Sequence, residues 1–195
     1  MLAPLLVSAA EKFGFDYALK SADRSFLECE IFDSLLARQG CRRILFAGVE
    51  IYTCHYGRFF PGRTFHTIDW DADKAHYGNK RFHRTGSVCD LDKLYPAAAF
   101  DAVLFNGLVG YGLDLPTDVD LAIAKAYCVL SEGGILIVGW NNTAKHLSFT
   151  LDELPSYRLF QPFTPAIAGV SGNRITIRSD NNHTFDFLIK QPEVR

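Results

Sequence analysis

The order of apolar runs along this chain predicts a single open α/β domain. A mostly parallel sheet of seven strands lies between two layers of helices and is closed by an antiparallel hairpin. Three observations predict it. Strand-like and helix-like stretches alternate five times over residues 25–138. The strand-like runs are short and continuously apolar, as strands buried on both faces must be. The last third then changes to β-like runs, the final two joined by the turn-forming Ser179-Asp180-Asn181-Asn182-His183. A chain of 195 residues, 48% hydrophobic and 22% charged, has material for one domain with a proper core and no more.

Taken in order, residues 1–24 read as a lead-in with one short helix, and 25–195 as the domain. Ser25-Phe26-Leu27-Glu28 offers a capping box, apolar positions Phe26, Leu27, Ile31, Leu35 and Leu36 follow at helical spacing, and Gly40 stands where a helix ends. Arg43–Gly48 reads as a buried strand, Thr64–Asp69 as a second and Arg81–Val88 as a third. The clearest strand is Phe100–Asn106, followed by the glycine-rich loop Gly107–Gly112. Pro116 opens a helix that Gly133-Gly134 ends, and Ile135–Val138 is the fifth strand. Thr150 and Glu153 form the capping box of a short helix, and β-like runs follow at Tyr157–Phe163, Arg174–Arg178 and Thr184–Lys190.

Composition excludes several classes. The net charge is −2 and no Lys/Arg-rich block appears, so no nucleic-acid partner is expected. The opening apolar stretch lacks a basic start and meets Glu11 and Lys12 within a dozen residues, so neither a signal peptide nor a membrane span is expected. Five scattered cysteines without a paired spacing fit reduced thiols in the cytoplasm, and no His/Cys/Asp/Glu cluster has metal-ligand spacing, so no metal is expected.

Five βα units and a terminal antiparallel hairpin, with Ile44-Leu45-Phe46-Ala47-Gly48, Asp69, Ser87–Leu91, Asn106-Gly107 and Glu132-Gly133-Gly134 at their places, resemble the Rossmann-like class I S-adenosylmethionine-dependent methyltransferases over roughly residues 25–190. The glycine loop departs from the family pattern. It reads Gly48-Val49-Glu50-Ile51-Tyr52, so only the first of three glycines is kept, and Phe46 stands where many members have an acid.

The resemblance implies S-adenosylmethionine as cofactor and assigns residues to it. Gly48 lets the backbone approach the ligand, and Glu50 faces the methionine ammonium; Glu50 also reads as a plain solvated carboxylate. Asp69 lies 21 positions beyond Gly48, the spacing of an acid that accepts from ribose hydroxyls, or else Asp69 or Asp71 caps the next helix. Trp70 stacks on adenine. Asp90 meets the adenine amino group, or is a turn aspartate. Asn106 and Gly107, at the carboxyl end of the fourth strand, face the site. No pattern names a catalytic residue. His55 and His146 are candidate bases and Tyr111 and Trp140 candidate pocket walls, each with an ordinary reading as surface or core.

Three functions are therefore weighed. One is methyl transfer to a small-molecule acceptor such as a sugar or secondary metabolite. Another is a catalytically inactive methyltransferase-like protein serving binding or assembly, which the altered loop suggests. The third is a nicotinamide enzyme, which fits less well because a pyrophosphate needs close backbone N–H groups.

Overall fold

The computed structural model describes residues 19–192. Most of the lead-in expected over residues 1–24 lies outside the described residues. Helix α1 comprises Ala22–Phe26 and Phe32–Ala37 with a π-helical stretch, Leu27–Ile31, between them. It therefore begins before Ser25. The expected capping box is not its start, because Ser21 holds the extended conformation ahead of the first turn and Ser25 donates its N–H back to the Ser21 carbonyl.

The strands are β1 (Arg43–Ala47), β2 (Thr64–Asp69), β3 (His83–Thr85), β4 (Phe100–Asn106), β5 (Leu130–Asn141), β6 (Gln161–Pro162), β7 (Arg174–Ile177) and β8 (His183–Ile189). They form one sheet in the order β3-β2-β1-β4-β5-β8-β6, with β7 also on β8. Strands β1 to β5 are parallel, and β8 runs antiparallel to β5. Strands β6 and β7 pair with successive stretches of β8, so two short strands occupy the seventh place of the sheet. The expected seven strands become eight in seven places.

Burial explains why β1 reads as a continuous apolar run. Leu45 and Ala47 enter one core with Val119, Ile123 and Ala126 of helix α3 (Pro116–Val129), while Ile44 and Phe46 enter another with Leu27, Ile31 and Leu35 of α1. Successive side chains point to opposite faces, and both faces are covered.

The helical layers are thinner than expected. After β1 come only the 3₁₀ turns Ile51–Thr53 and Tyr56–Phe59, and after β2 only Ala72–Tyr77. Aromatic packing takes the place of a helix there. Tyr56 stands edge-on to Phe32 and Phe46 with ring centroids 5.1 and 5.2 Å apart, and Phe60 is buried beside them. A short helix α2 (Leu91–Leu94) follows β3, which is briefer than the expected Arg81–Val88.

Helix α3 ends at Val129 rather than at Gly133, and β5 starts at once. Gly133 takes φ +71°, and the register against β4 shifts between Phe100 and Ala102. Of the β-like run at Tyr157–Phe163, Gln161 and Pro162 form β6 and the first three residues end the 3₁₀ turn Pro155–Leu159; the capping box of Thr150 and Glu153 is present.

Candidate functional site

Strand order reverses between β1 and β4, and ligands of open α/β sheets sit above the carboxyl ends of strands at such a point. Two adjoining cavities lie there, of about 330 and 560 Å³. Both fall within the range of roughly 300–1,000 Å³ that small-molecule sites occupy. They share Gly48, Asp69, Trp70, Leu108 and Tyr111 as walls.

Gly48 ends β1 at φ +86°, a conformation side chains rarely adopt. A Cβ there would stand 2.7 Å from Leu108 Cδ2. The one glycine the loop keeps therefore stands where a side chain would meet Leu108 of the loop after β4. Phe46, buried at 1% exposure, packs under the sheet and does not enter the crevice. Tyr52 lines the larger cavity with the Arg24 guanidinium 4.8 Å above its ring. Burial raises the Tyr52 phenol above its ordinary value, so it stays protonated.

Asp69 is buried at the end of β2 and holds the two cavities together. Its Oδ2 accepts the Val49 N–H at 2.8 Å and its Oδ1 accepts the Asp71 N–H at 2.9 Å. Each oxygen keeps a further lone pair for a ligand hydroxyl. Of the two aspartates that could cap the next turn, Asp71 does so, accepting from Asp73 N–H. Trp70 borders both cavities and is 73% exposed, as a residue stacking on a ligand at a cavity mouth would be.

The smaller cavity is mostly apolar. Gly86, Ser87 and Val88 form one side, and Leu108, Gly112 and Leu113 the other. Asp90, expected beside adenine, is not among the residues lining either cavity. The 3₁₀ turn Val88–Asp90, begun by Ser87 Oγ accepting from Cys89 N–H, carries it away, and its carboxylate pairs with Lys93.

The larger cavity is polar. Glu50 reaches it ion-paired with Lys74, and Asp23, Asp69 and Arg24 also line it. Three carboxylates against two cations leave a surface suited to a zwitterion carrying an extra positive charge. Arg24, Tyr52, Asn141 and His183 were not among the residues expected to hold the cofactor. His183 in particular reads in sequence as the end of a hairpin turn.

Asn106 and Gly107 both line the larger cavity. His183 lies between two amides, its Nε2 3.1 Å from Asn106 Oδ1 and its Nδ1 2.7 Å from Asn141 Oδ1. Burial pushes this imidazole down to about 4, so it is neutral at physiological pH. Among the described residues no group of three His, Cys, Asp or Glu is arranged to hold a metal, and no helix is long and apolar enough to cross a membrane.

Neither a family model nor a curated protein matches the sequence. Solved structures do match in shape. A TehB-like SAM-dependent methyltransferase from Corynebacterium glutamicum ATCC 13032 Kitasato aligns with TM-score 0.62 at 14% identity, over 97% of this chain and 96% of its own. The N-methyltransferase NodS from Bradyrhizobium japonicum WM9, in complex with S-adenosyl-L-homocysteine, aligns with TM-score 0.61 at 14% identity over 95% and 98%. A SAM-dependent methyltransferase from Archaeoglobus fulgidus gives TM-score 0.57 at 11% identity over 96% and 94%. The chain has the class I methyltransferase-like fold.

Proposed function

We infer that this protein binds S-adenosylmethionine and transfers its methyl group to a small-molecule acceptor. The observation that carries the reading is the open crevice at Gly48, floored by Asp69 and divided into an apolar and a polar cavity. An adenosine with a charged amino-acid tail has that same division. Ser87, Val88, Leu108 and Leu113 would enclose the base, Asp69 would accept from the ribose, and Trp70 would cover the mouth. Glu50 would meet the ammonium and Arg24 the carboxylate. The bound cofactor supplies a methyl group on a sulfonium, already activated for attack.

The chain's own contribution is placement and electrostatics. The carboxylates of Asp23, Glu50 and Asp69 favour a cation in the larger cavity, and the apolar walls of the smaller one shed water. The same charges oppose a pyrophosphate. The loop after β1 also leads into a three-residue 3₁₀ turn rather than a helix whose N-terminus would receive one. An inactive assembly role is supported less, because Phe46 lies in the core and the crevice is open.

Isothermal calorimetry with S-adenosylhomocysteine tests the reading. Saturable one-site binding is expected, and no heat at millimolar ligand would remove it.

A further inference from the structure

Resting on that reading, one feature of the larger cavity goes beyond cofactor binding. A chain of polar contacts runs from Asn106 through His183 and Asn141 to Tyr111, His146 and Thr143, across three separate segments. Asn141 Nδ2 donates to Tyr111 Oη at 2.7 Å, Tyr111 Oη lies 3.3 Å from His146 Nε2, and His146 Nδ1 lies 2.8 Å from Thr143 Oγ1. Space for its start is made by Gly139, where a Cβ would stand 2.0 Å from Asn106 Oδ1 and 2.9 Å from His183 Nε2.

The direction of the chain follows from counting protons. A neutral imidazole has one N–H, yet both ring nitrogens of His183 face amide oxygens as placed, so one amide must be turned. Asn106 is the one to turn, because its Nδ2 is buried without a partner among the described residues. Once it turns, the N–H₂ meets His183 Nε2 and the oxygen takes the orphaned place, which costs less than an orphaned donor. His183 then donates from Nδ1 to Asn141, Asn141 donates to Tyr111, and among the described residues the acceptor beside the Tyr111 hydroxyl is His146 Nε2. His146 in turn donates from Nδ1 to Thr143.

We propose that Tyr111 and His146 form a proton relay that deprotonates a hydroxyl-bearing acceptor bound in the larger cavity. Tyr111 lines that cavity, is half-exposed, and keeps one oxygen lone pair free. The acceptor's proton moves to Tyr111 Oη as the original Oη–H bond breaks and its proton moves to His146 Nε2. This leaves an anionic acceptor oxygen and an imidazolium. A hydroxyl is the acceptor class that needs such help, because its proton is held tightly. Asn141 and His183 are positioning residues, since they fix which way the phenol points.

Two measurements on the full chain test this, with S-adenosylhomocysteine calorimetry run beside them to judge the parent reading separately. In ¹⁵N-histidine spectra at neutral pH, His146 should carry its proton on Nδ1, and its Nε2 resonance should move in both Tyr111→Phe and Asn141→Leu. With 4-nitrophenol as a chromophoric hydroxyl, at a pH where the free probe is protonated, the wild type should show the phenolate band. Tyr111→Phe and His146→Gln should each reduce that band about tenfold. A proton on His146 Nε2, no phenolate band in the wild type, or an equal band in all three proteins would overturn the relay. Failure of the homocysteine ligand to bind would instead overturn the methyl-transfer reading.

Discussion

The two cavities share a floor but are built by different means. The smaller is shaped by apolar side chains and by glycines that let two loops close on one another, so its selectivity rests on fit. The larger is lined by paired charges and a directional hydrogen-bond chain, so its selectivity rests on where protons and charges sit. The difference teaches that a shape-based pocket tolerates loss of one polar contact, whereas a network fails as a unit. Substitutions should therefore separate the cavities by the kind of damage they cause.

The largest effect is expected where the two meet. Asp69→Leu removes two backbone hydrogen bonds to a carboxylate, which together stabilise the fold by about 4 kcal/mol. It should also abolish S-adenosylhomocysteine binding, as read by urea unfolding and calorimetry. Wild-type affinity in this variant would mean that neither cavity depends on Asp69.

His183→Gln probes the larger cavity alone. The folded pKa of about 4 lies below the ordinary 6.5. The unfolded chain therefore takes up this proton first. Stability from the neutral imidazole is complete above about pH 6.5 and drains as the pH falls toward 4, by roughly 3 kcal/mol in all. The variant's urea midpoint should lose that part of its acid dependence, and an unchanged pH profile would refute the buried neutral state.

Gly48→Ala should act on the wall that the two cavities share. Positive φ costs about 1–2 kcal/mol for a residue with a Cβ, and Leu108 must shift into the cavity to clear it. A fall of several degrees in Tm with weaker adenosine binding is expected. The smallest change in stability is expected from Glu50→Gln. Its half-exposed ion pair with Lys74 contributes less than about 1 kcal/mol, so Tm should hardly move. Affinity for S-adenosylhomocysteine should fall more than affinity for adenosine, which has no ammonium. Equal losses for the two ligands would place Glu50 outside the recognition of the amino-acid tail.

The residues at strand ends were legible because a buried parallel strand announces itself as an apolar run, and the first residues beyond it must face the crevice. Gly48, Asp69, Asn106 and Gly107 line the crevice in keeping with that rule, and their contact with a ligand is part of the proposal. Asp90 lies outside the two cavities because a three-residue turn is enough to rotate a side chain out of a pocket, and spacing does not reveal the turn. Gly139 carries a local signal of its own. A lone glycine in a strand marks a close approach, but ending the fifth strand at Val138 removed it from view. His183 had no local signal at all, since its partner Asn106 lies 77 positions away.

By itself, the sequence determined the alternation of elements, the two-sided burial of β1 and the antiparallel close, because these follow from hydrophobic period and turn chemistry along a short window. Only the tertiary structure decided that aromatic rings replace the helix after β1, that the altered loop still leaves an open crevice, and that a hairpin histidine joins β4. Those outcomes depend on which side chains meet across the sheet. Packing between distant segments settles that, and no local pattern encodes it.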